Sequence, residues 1–327
     1  MLRPQTAPHD PAIAAPEADR YRLRQVLVSL ARWFDSGAAC TTERDGERID
    51  WLRTTPFIGV HLACLAVFWV GVSRLALEIA GGLYLLRMFA ITGFYHRYFA
   101  HRTFRTTRAL QFAFACIGAS SVQRGPLWWA AHHRNHHINA DTFADPHSPR
   151  VHGFLWSHMG WFLTSNGFRT DWKRIPDLAK FPELRWLDRY DVLMPVALAT
   201  ALYFLGSWLR HLAPHSGVTG GQLLVWGFFV STVVLFHATV TINSLAHGFG
   251  TRRFDTRDDS RNNLWLAMLT LGEGWHNNHH FCPSSVRQGF RWWEVDMTYY
   301  ALRLLQVLGL VHALKPVPAH VMAKARR

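Results

Sequence analysis

Cysteine is scarce here: four in 327 residues, Cys40, Cys64, Cys116 and Cys282, none at CxxC spacing. That excludes a disulfide framework or thiolate metal sites as the organising device. Acidic residues are also few, 22 against 35 lysines and arginines, for a formal net charge of +13. No repeat in the solenoid range appears. No basic n-region, apolar h-region and cleavage site opens the chain, so the first apolar segment is expected to insert directly. Histidine, by contrast, is abundant at 20 residues.

The apolar residues, 49% of the chain, collect in four blocks at 56–72, 75–95, 193–212 and 223–242. Each approaches the ~20 residues that cross a bilayer as a helix. Glu78 and Arg87 interrupt the second block. Two residues separate the first pair and APHSGVTGG (213–221) the second, so two helical hairpins are expected. Of the 35 lysines and arginines, 32 fall in 1–53, 97–190 and 245–327, all on one side of such a chain. Positive residues accumulate on the cytoplasmic side, which places both termini and the polar bulk there. That charge suits anionic lipid, an acidic protein or a phosphorylated substrate. A nucleic-acid partner is not expected, because the basic residues belong to a membrane protein rather than a soluble binding module.

Residues 1–20, rich in Pro and Ala, read as a disordered tail. Over 21–55 an interfacial segment is expected, since Leu23, Leu27, Leu30 and Phe34 share one helical face between arginines. The apolar stretch 109–123 is short for a crossing and reads as a helix half sunk in the cytoplasmic leaflet. Residues 96–190 and 243–315 read as a folded polar cap, and 316–327 as a basic tail.

In WWAAHHRNHH (128–137), His133, His136 and His137 stand at i, i+3 and i+4, on one helical face. HNNHH repeats that spacing at His276, His279 and His280. HRYFAH adds His96 and His101, five apart. Five residues turn about 140° around an ideal helix, so their convergence demands a helix end or break. Burying an imidazole without a partner is costly, and eight in three tight motifs make no sense as packing. They make sense as neutral ligands of two metal ions with open positions, the plan of a hydrolytic or oxygen-activating centre.

His247 in NSLAH lies one helical turn beyond Asn243 and is a ninth candidate. Asp141, Asp145 and Glu273 could fix imidazole tautomers. His132, one residue before the ligand face, should point elsewhere, and His147 and His152 fit supporting roles. His61, His211, His215, His312 and His320 need no special role. His237 is a polar residue inside the fourth block, and a suspect for that reason, although it points away from the Asn243 face.

With HRYFAH, HRNHH, NSLAH and HNNHH in this order among four apolar blocks, the chain resembles the membrane fatty-acyl desaturases, most nearly the stearoyl-CoA desaturase group. WWAAHHRNHHINADTFADPHSPRVHGFLWSHMGW and GEGWHNNHHFCPSSVRQGFRW carry the likeness, which spans residues 50–315. The resemblance implies an all-α integral membrane protein, expected in the bacterial inner membrane: four transmembrane helices under a helical cytosolic cap that holds two non-haem irons, with dioxygen as co-substrate. The ligands it implies are His96, His101, His133, His136, His137, His247, His276, His279 and His280, with Asn243 acting through a water. No catalytic side chain beyond the metal centre is then needed. Gln123, Trp129 and Thr239 would flank the bend of the acyl chain, and Tyr84 and Met88 the tunnel's far end. A bulky Met88, about 12 Å along a helix from His96, implies a preference for sixteen over eighteen carbons.

The product implied is a cis double bond near the middle of the chain. One departure concerns the carrier. Acyl-CoA members place Arg-Asp just before HRxHH, where this chain has Ala131 and His132, and alanine cannot replace a phosphate-binding guanidinium. Acyl-CoA is the first expectation and a phospholipid-bound acyl chain the second. Neither a fused HPGG haem motif nor rubredoxin-like cysteines are present, so electrons are expected from a separate ferredoxin, rubredoxin or b-type cytochrome with its reductase. A hydroxylase on the same scaffold is the nearest rival reading. A histidine-lined metal transporter would need ligands along a path at the membrane midplane.

Overall fold

The computed structural model describes residues 20, 23, 24, 26–28, 30–37, 46 and 48–325. The expected disordered tail lies outside these residues except for Arg20. The described positions from 20 to 31 are helical, and Leu23, Leu27 and Phe34 are exposed.

Four helices are long and apolar enough to cross a membrane: α1 (Trp51–Val70), α2 (Arg74–Ala100), α5 (Leu193–Leu212) and α6 (Gly220–Ser244). The shorter α3 (Arg108–Ala119) and α4 (Pro126–Asn139) lie between α2 and α5, and α7 (His276–Phe281) and α8 (Met297–Val307) follow α6. The apolar blocks thus become helices, and α2 and α6 run past their blocks toward the histidines. The expectation of a purely helical chain needs one correction: β1 (Arg105–Thr106) pairs antiparallel with β2 (Val311–His312) in a two-residue ribbon.

The packing runs through α6, which lies against α1, α2 and α5. Close approach of α5 to the start of α6 requires glycine, since a Cβ on Gly206 would stand 2.5 Å from the Thr219 carbonyl. Arg87, the charge inside the second block, is fully buried. Its guanidinium donates to Thr232 Oγ1 at 2.7 Å and Ser231 Oγ at 2.8 Å on α6, and to the Ser120 carbonyl at 3.3 Å. Hydrogen bonding is what makes a buried polar group tolerable, so these partners explain why Arg87 does not break the helix bundle. Glu78 pairs with Arg74 at the exposed end of α2.

After Phe89, α2 widens into a π-helix over Ala90–Ala100, all of it buried. The His101 amide donates to the His96 carbonyl at 3.2 Å, an i to i+5 bond. In this wider helix five residues make little more than one turn, so His96 and His101 project to the same side. This is the break from ideal geometry that their spacing demanded.

Helix α4 begins at Pro126 after Gly125, which has no capping side chain. Asp188 takes that role from another part of the chain, accepting from the Leu127 amide at 3.0 Å and the Trp128 amide at 2.8 Å. Gly125 leaves room for it, since a Cβ there would meet the Asp188 Cα at 2.5 Å. Burial pushes the Asp188 carboxyl up to about 6. Removing a helix cap costs roughly 0.5–2 kcal/mol, and orphaned buried amides add to that. Asp188→Ala should therefore lower the thermal midpoint of the detergent-solubilised protein and weaken metal retention, measured by scanning fluorimetry and metal content.

Candidate metal centre

The histidines converge as two separate groups. His96 and His101 from α2 and its end, His133 and His137 from α4, and His279 from α7 place one nitrogen each within 4.8 Å of one another. His136 from α4, His247, and His276 and His280 from α7 form the second group on the same criterion. Each i, i+3, i+4 triple is therefore divided between the two. α4 sends His133 and His137 one way and His136 the other, while α7 sends His279 one way and His276 and His280 the other.

The nitrogens that meet are Nε2. In the first group, His96 meets His279 at 3.0 Å, His101 meets His133 at 2.8 Å, and His137 meets His133 at 3.0 Å and His279 at 2.9 Å. In the second, His247 meets His276 at 3.0 Å and His136 meets His280 at 3.3 Å.

Several outer nitrogens face carboxylates. Nδ1 of His136 lies 3.0 Å from Asp145, that of His247 2.8 Å from Asp141, and that of His280 2.9 Å from Asp258. His96 Nδ1 pairs with Glu273. A carboxylate can only accept there, so each Nδ1 carries the proton and each Nε2 lone pair points inward, where a cation would sit. Burial alone would push these carboxyls up, but bonds from the paired rings hold Asp141, Asp145, Asp258 and Glu273 below the usual carboxylate range. Burial first, then repulsion among the rings, holds His101, His133, His137, His276 and His279 well below the ordinary imidazole range. They stay neutral and available as ligands.

Sequence reasoning singled out Asp141, Asp145 and Glu273 but missed Asp258, which sits in a charged loop 22 residues before its partner. It also missed Arg97, wholly buried, which pairs with Glu273 at 3.0 Å and Asp296 at 2.9 Å and so anchors the carboxylate behind His96. The two asparagines inside HNNHH went unread as well. Asn277 Oδ1 accepts from the Arg253 and Phe254 amides at 2.8 and 2.7 Å, and Asn278 Nδ2 donates to Gln288 O and Glu294 Oε2, fixing α7 from its far side. His147 shares Asp145 with His136, at 2.8 Å. His132 turns away from both groups to the Arg169 carbonyl, between Trp128 and Trp161.

A cavity of about 450 Å³ runs beside the first group. His133, Trp129, Gln123, Thr239 and Asn243 line it, together with aromatic rings including Phe57, Phe162 and Phe236 and the arginines Arg32, Arg53 and Arg124. Gln123 donates to Thr239 Oγ1 at 3.0 Å. Val122 and Arg124, on either side of Gln123, have φ of 59° and 67°. For a β-branched valine that is a costly conformation, the kind retained where surrounding structure requires it. Tyr84 and Met88 do not line this cavity. Tyr84 bonds to the Leu269 carbonyl at 2.6 Å, and Met88 is fully buried in the hydrophobic cluster against which Tyr84 and Trp129 pack.

The fatty acid desaturase family model matches residues 73–306. The chain belongs to the fatty acid desaturase family. Curated relatives agree across most of its length. An sn-1 stearoyl-lipid 9-desaturase of Anabaena variabilis is 38% identical, over 82% of this chain and 94% of the relative. A palmitoyl-monogalactosyldiacylglycerol delta-7 desaturase of Arabidopsis thaliana is 36% identical over 93% of this chain and 78% of its own. An acyl-CoA 5-desaturase of Anemone leveillei is 37% identical over 80% of this chain and 78% of its own. The desaturase is thus an oxidoreductase of a family that uses iron. Its residues fit that metal: buried imidazoles with outer carboxylates and no thiolate are a donor set suited to iron.

Losing a partner of a metal-ligating histidine costs roughly 10–100-fold in metal affinity. Asp258→Ala should do so in a competitive iron titration, with the fold kept in circular dichroism. The depressed imidazoles weaken proton competition, so metal content should persist as pH falls through ~6.5, where free imidazole is half protonated. Loss at that pH would contradict the electrostatic account.

Proposed function

We propose that this desaturase introduces a cis double bond near the middle of a saturated acyl chain, carried by coenzyme A or by a membrane lipid, using two irons, dioxygen and electrons from a separate protein. The carrying observation is the lining of the cavity, which combines His133 and Asn243 with aromatic rings and arginines. His96, His101, His133, His137 and His279 would hold one iron, and His136, His247, His276 and His280 the other, with Asn243 acting through a water. Bound iron supplies the dioxygen-dependent oxidising power to remove hydrogen from an unactivated methylene pair, which no side-chain acid or base can do.

The chain's own residues position the substrate. Trp129 stacks on His133 at 4.9 Å, so the wall that would bend the acyl chain is tied to a metal-binding ring. Gln123 and Thr239, bonded to each other, line the same cavity and would flank that bend. Phe57, Phe162 and Phe236 exclude water from the methylene chain. Arg53 and Arg124, both over the Phe168 ring, offer positive charge to an anionic head group. A second cavity of about 630 Å³ shares Arg32, Arg53 and Phe168 with the first and adds Arg169, Arg185 and Arg189. This room suits the phosphates of either carrier and supplies guanidinium where Ala131 and His132 do not.

On this reading the four apolar helices form two membrane hairpins, and the histidine-bearing part with both termini faces the cytoplasm of a bacterial inner membrane. There the basic surface would receive an acidic ferredoxin, rubredoxin or cytochrome. Met88 does not itself line the cavity, but it is buried in the cluster against which Trp129 packs, and through that packing it would favour sixteen carbons over eighteen.

Expression in a host lacking the activity, with electron donor supplied and double bonds located in the lipids, tests the reading. New alcohols instead of alkenes would favour hydroxylation and contradict it, and His136→Ala should abolish the product. Paired assays with acyl-CoA and with lipid-linked acyl chains assign the carrier. Met88→Ala should move preference toward eighteen carbons, and an unchanged product profile would contradict the chain-length reading.

A further inference from the structure

Of the described residues that line the cavity beside the metal groups, only Pro56 on α1 and Val196 on α5 are exposed. Each stands about one turn inside its helix. α1 and α5 pack against α6 rather than against each other, so Pro56 and Val196 flank a gap between them. Val60 and Ala199, one turn further along the same helices, line the cavity as well and keep this opening apolar. The outer faces of both helices expose large apolar side chains, among them Leu62, Phe68 and Phe204, so the opening faces lipid.

The charges beside this opening do not balance. Arg53, one turn before Pro56, lies 4.1 Å from the centroid of the Phe168 ring, and Arg124 lies 5.3 Å from it. Arg124 pairs with Asp191 at 3.3 Å, and Asp191 is the one carboxylate in the cavity lining. Two other acids are engaged elsewhere. Asp50 caps α1 by accepting from the Arg53 amide at 3.1 Å, and Asp188, which shares the second cavity with Arg53, accepts from the Leu127 and Trp128 amides. Among the described residues no carboxylate pairs with the Arg53 guanidinium. Arg53 therefore carries a positive charge that this aromatic surrounding leaves uncompensated, which is costly.

The level of Arg53 is marked by two tryptophans. Trp51 is exposed at the start of α1, and Trp33 Nε1 donates to the Leu52 carbonyl at 2.9 Å. Tryptophans at the ends of membrane helices lie among lipid head groups. A guanidinium at that level, beside an apolar opening toward lipid, is placed to meet the phosphate of a lipid whose acyl chain passes inward. An uncharged glycolipid would leave Arg53 uncompensated, and coenzyme A, arriving from water, needs no opening toward lipid.

We propose that the acyl carrier is a membrane glycerophospholipid, which enters between Pro56 and Val196 with its phosphate diester on Arg53 and Arg124 and one acyl chain in the cavity. This rests on the desaturase reading above and names its substrate class. A diester carries one negative charge, matching the one that Arg53 leaves over.

Native mass spectrometry of the full-length protein in detergent tests this, with dipalmitoyl phosphatidylglycerol, the matching monogalactosyl lipid and palmitoyl-CoA in competition. Binding is read without turnover, so its outcome is separate from that of the lipid analysis that tests desaturation. One phosphatidylglycerol per chain should be retained over both competitors. Arg53→Gln should weaken its retention roughly tenfold or more, and Arg53→Lys less, since lysine keeps the charge but not the planar fork. Val196→Trp should slow phospholipid uptake by narrowing the opening. Equal retention of the galactolipid, or displacement of the phospholipid by palmitoyl-CoA, in the unaltered protein would overturn the proposal whether or not the variants fold. So would unchanged retention in a folded Arg53→Gln, and uptake unslowed in a folded Val196→Trp would overturn the entry route.

Discussion

The bonds from imidazole Nδ1 atoms to Glu273, Asp145, Asp141 and Asp258 set the direction in which the histidines can act. Each fixes a proton on the outer nitrogen and turns the inner lone pair toward a shared point. Nine neutral rings facing one another in a buried space repel and lose hydration, a cost that cations between them would offset. The rest of the fold serves that requirement. Arg97, itself paired with Asp296, holds Glu273, Ser148 and the Asp259 amide hold Asp141, and the asparagines of α7 hold the helix that carries three of the rings.

The long helices have a second task, which is to bring the cavity to the metal groups. α2 delivers His96 and His101 only because its last eleven residues are π-helical. α4 presents Trp129 to the cavity and His133 to the metal group one turn later. Its start is held by Asp188 from a remote segment. Chemistry and substrate shape are therefore coupled through one helix, and a change in the α4 cap reaches both.

Much of this was legible in the sequence, for physical reasons that differ by residue. The four apolar blocks announce helices by length alone, and the i, i+3, i+4 triples announce a common face. That each triple serves two groups was not legible, because the 100° step between His136 and His137 selects between neighbours only once α7 is docked opposite. The spacing of His96 and His101 stated a problem whose answer, the π-helix, is a tertiary outcome. Asp141 and Asp145 could be read from their nearness to HRNHH, whereas Asp258 could not. His237 meets His61 across 176 residues, a contact that no local pattern encodes.

The central claim is that two groups, of five and four imidazoles, bind two separate ions. Iron content per chain, measured in the purified protein and in His276→Ala, addresses it most directly. The account expects two ions in the unaltered protein and one in the variant, the ion of the five-histidine group remaining. One ion in the unaltered protein, or two in the variant, would contradict it.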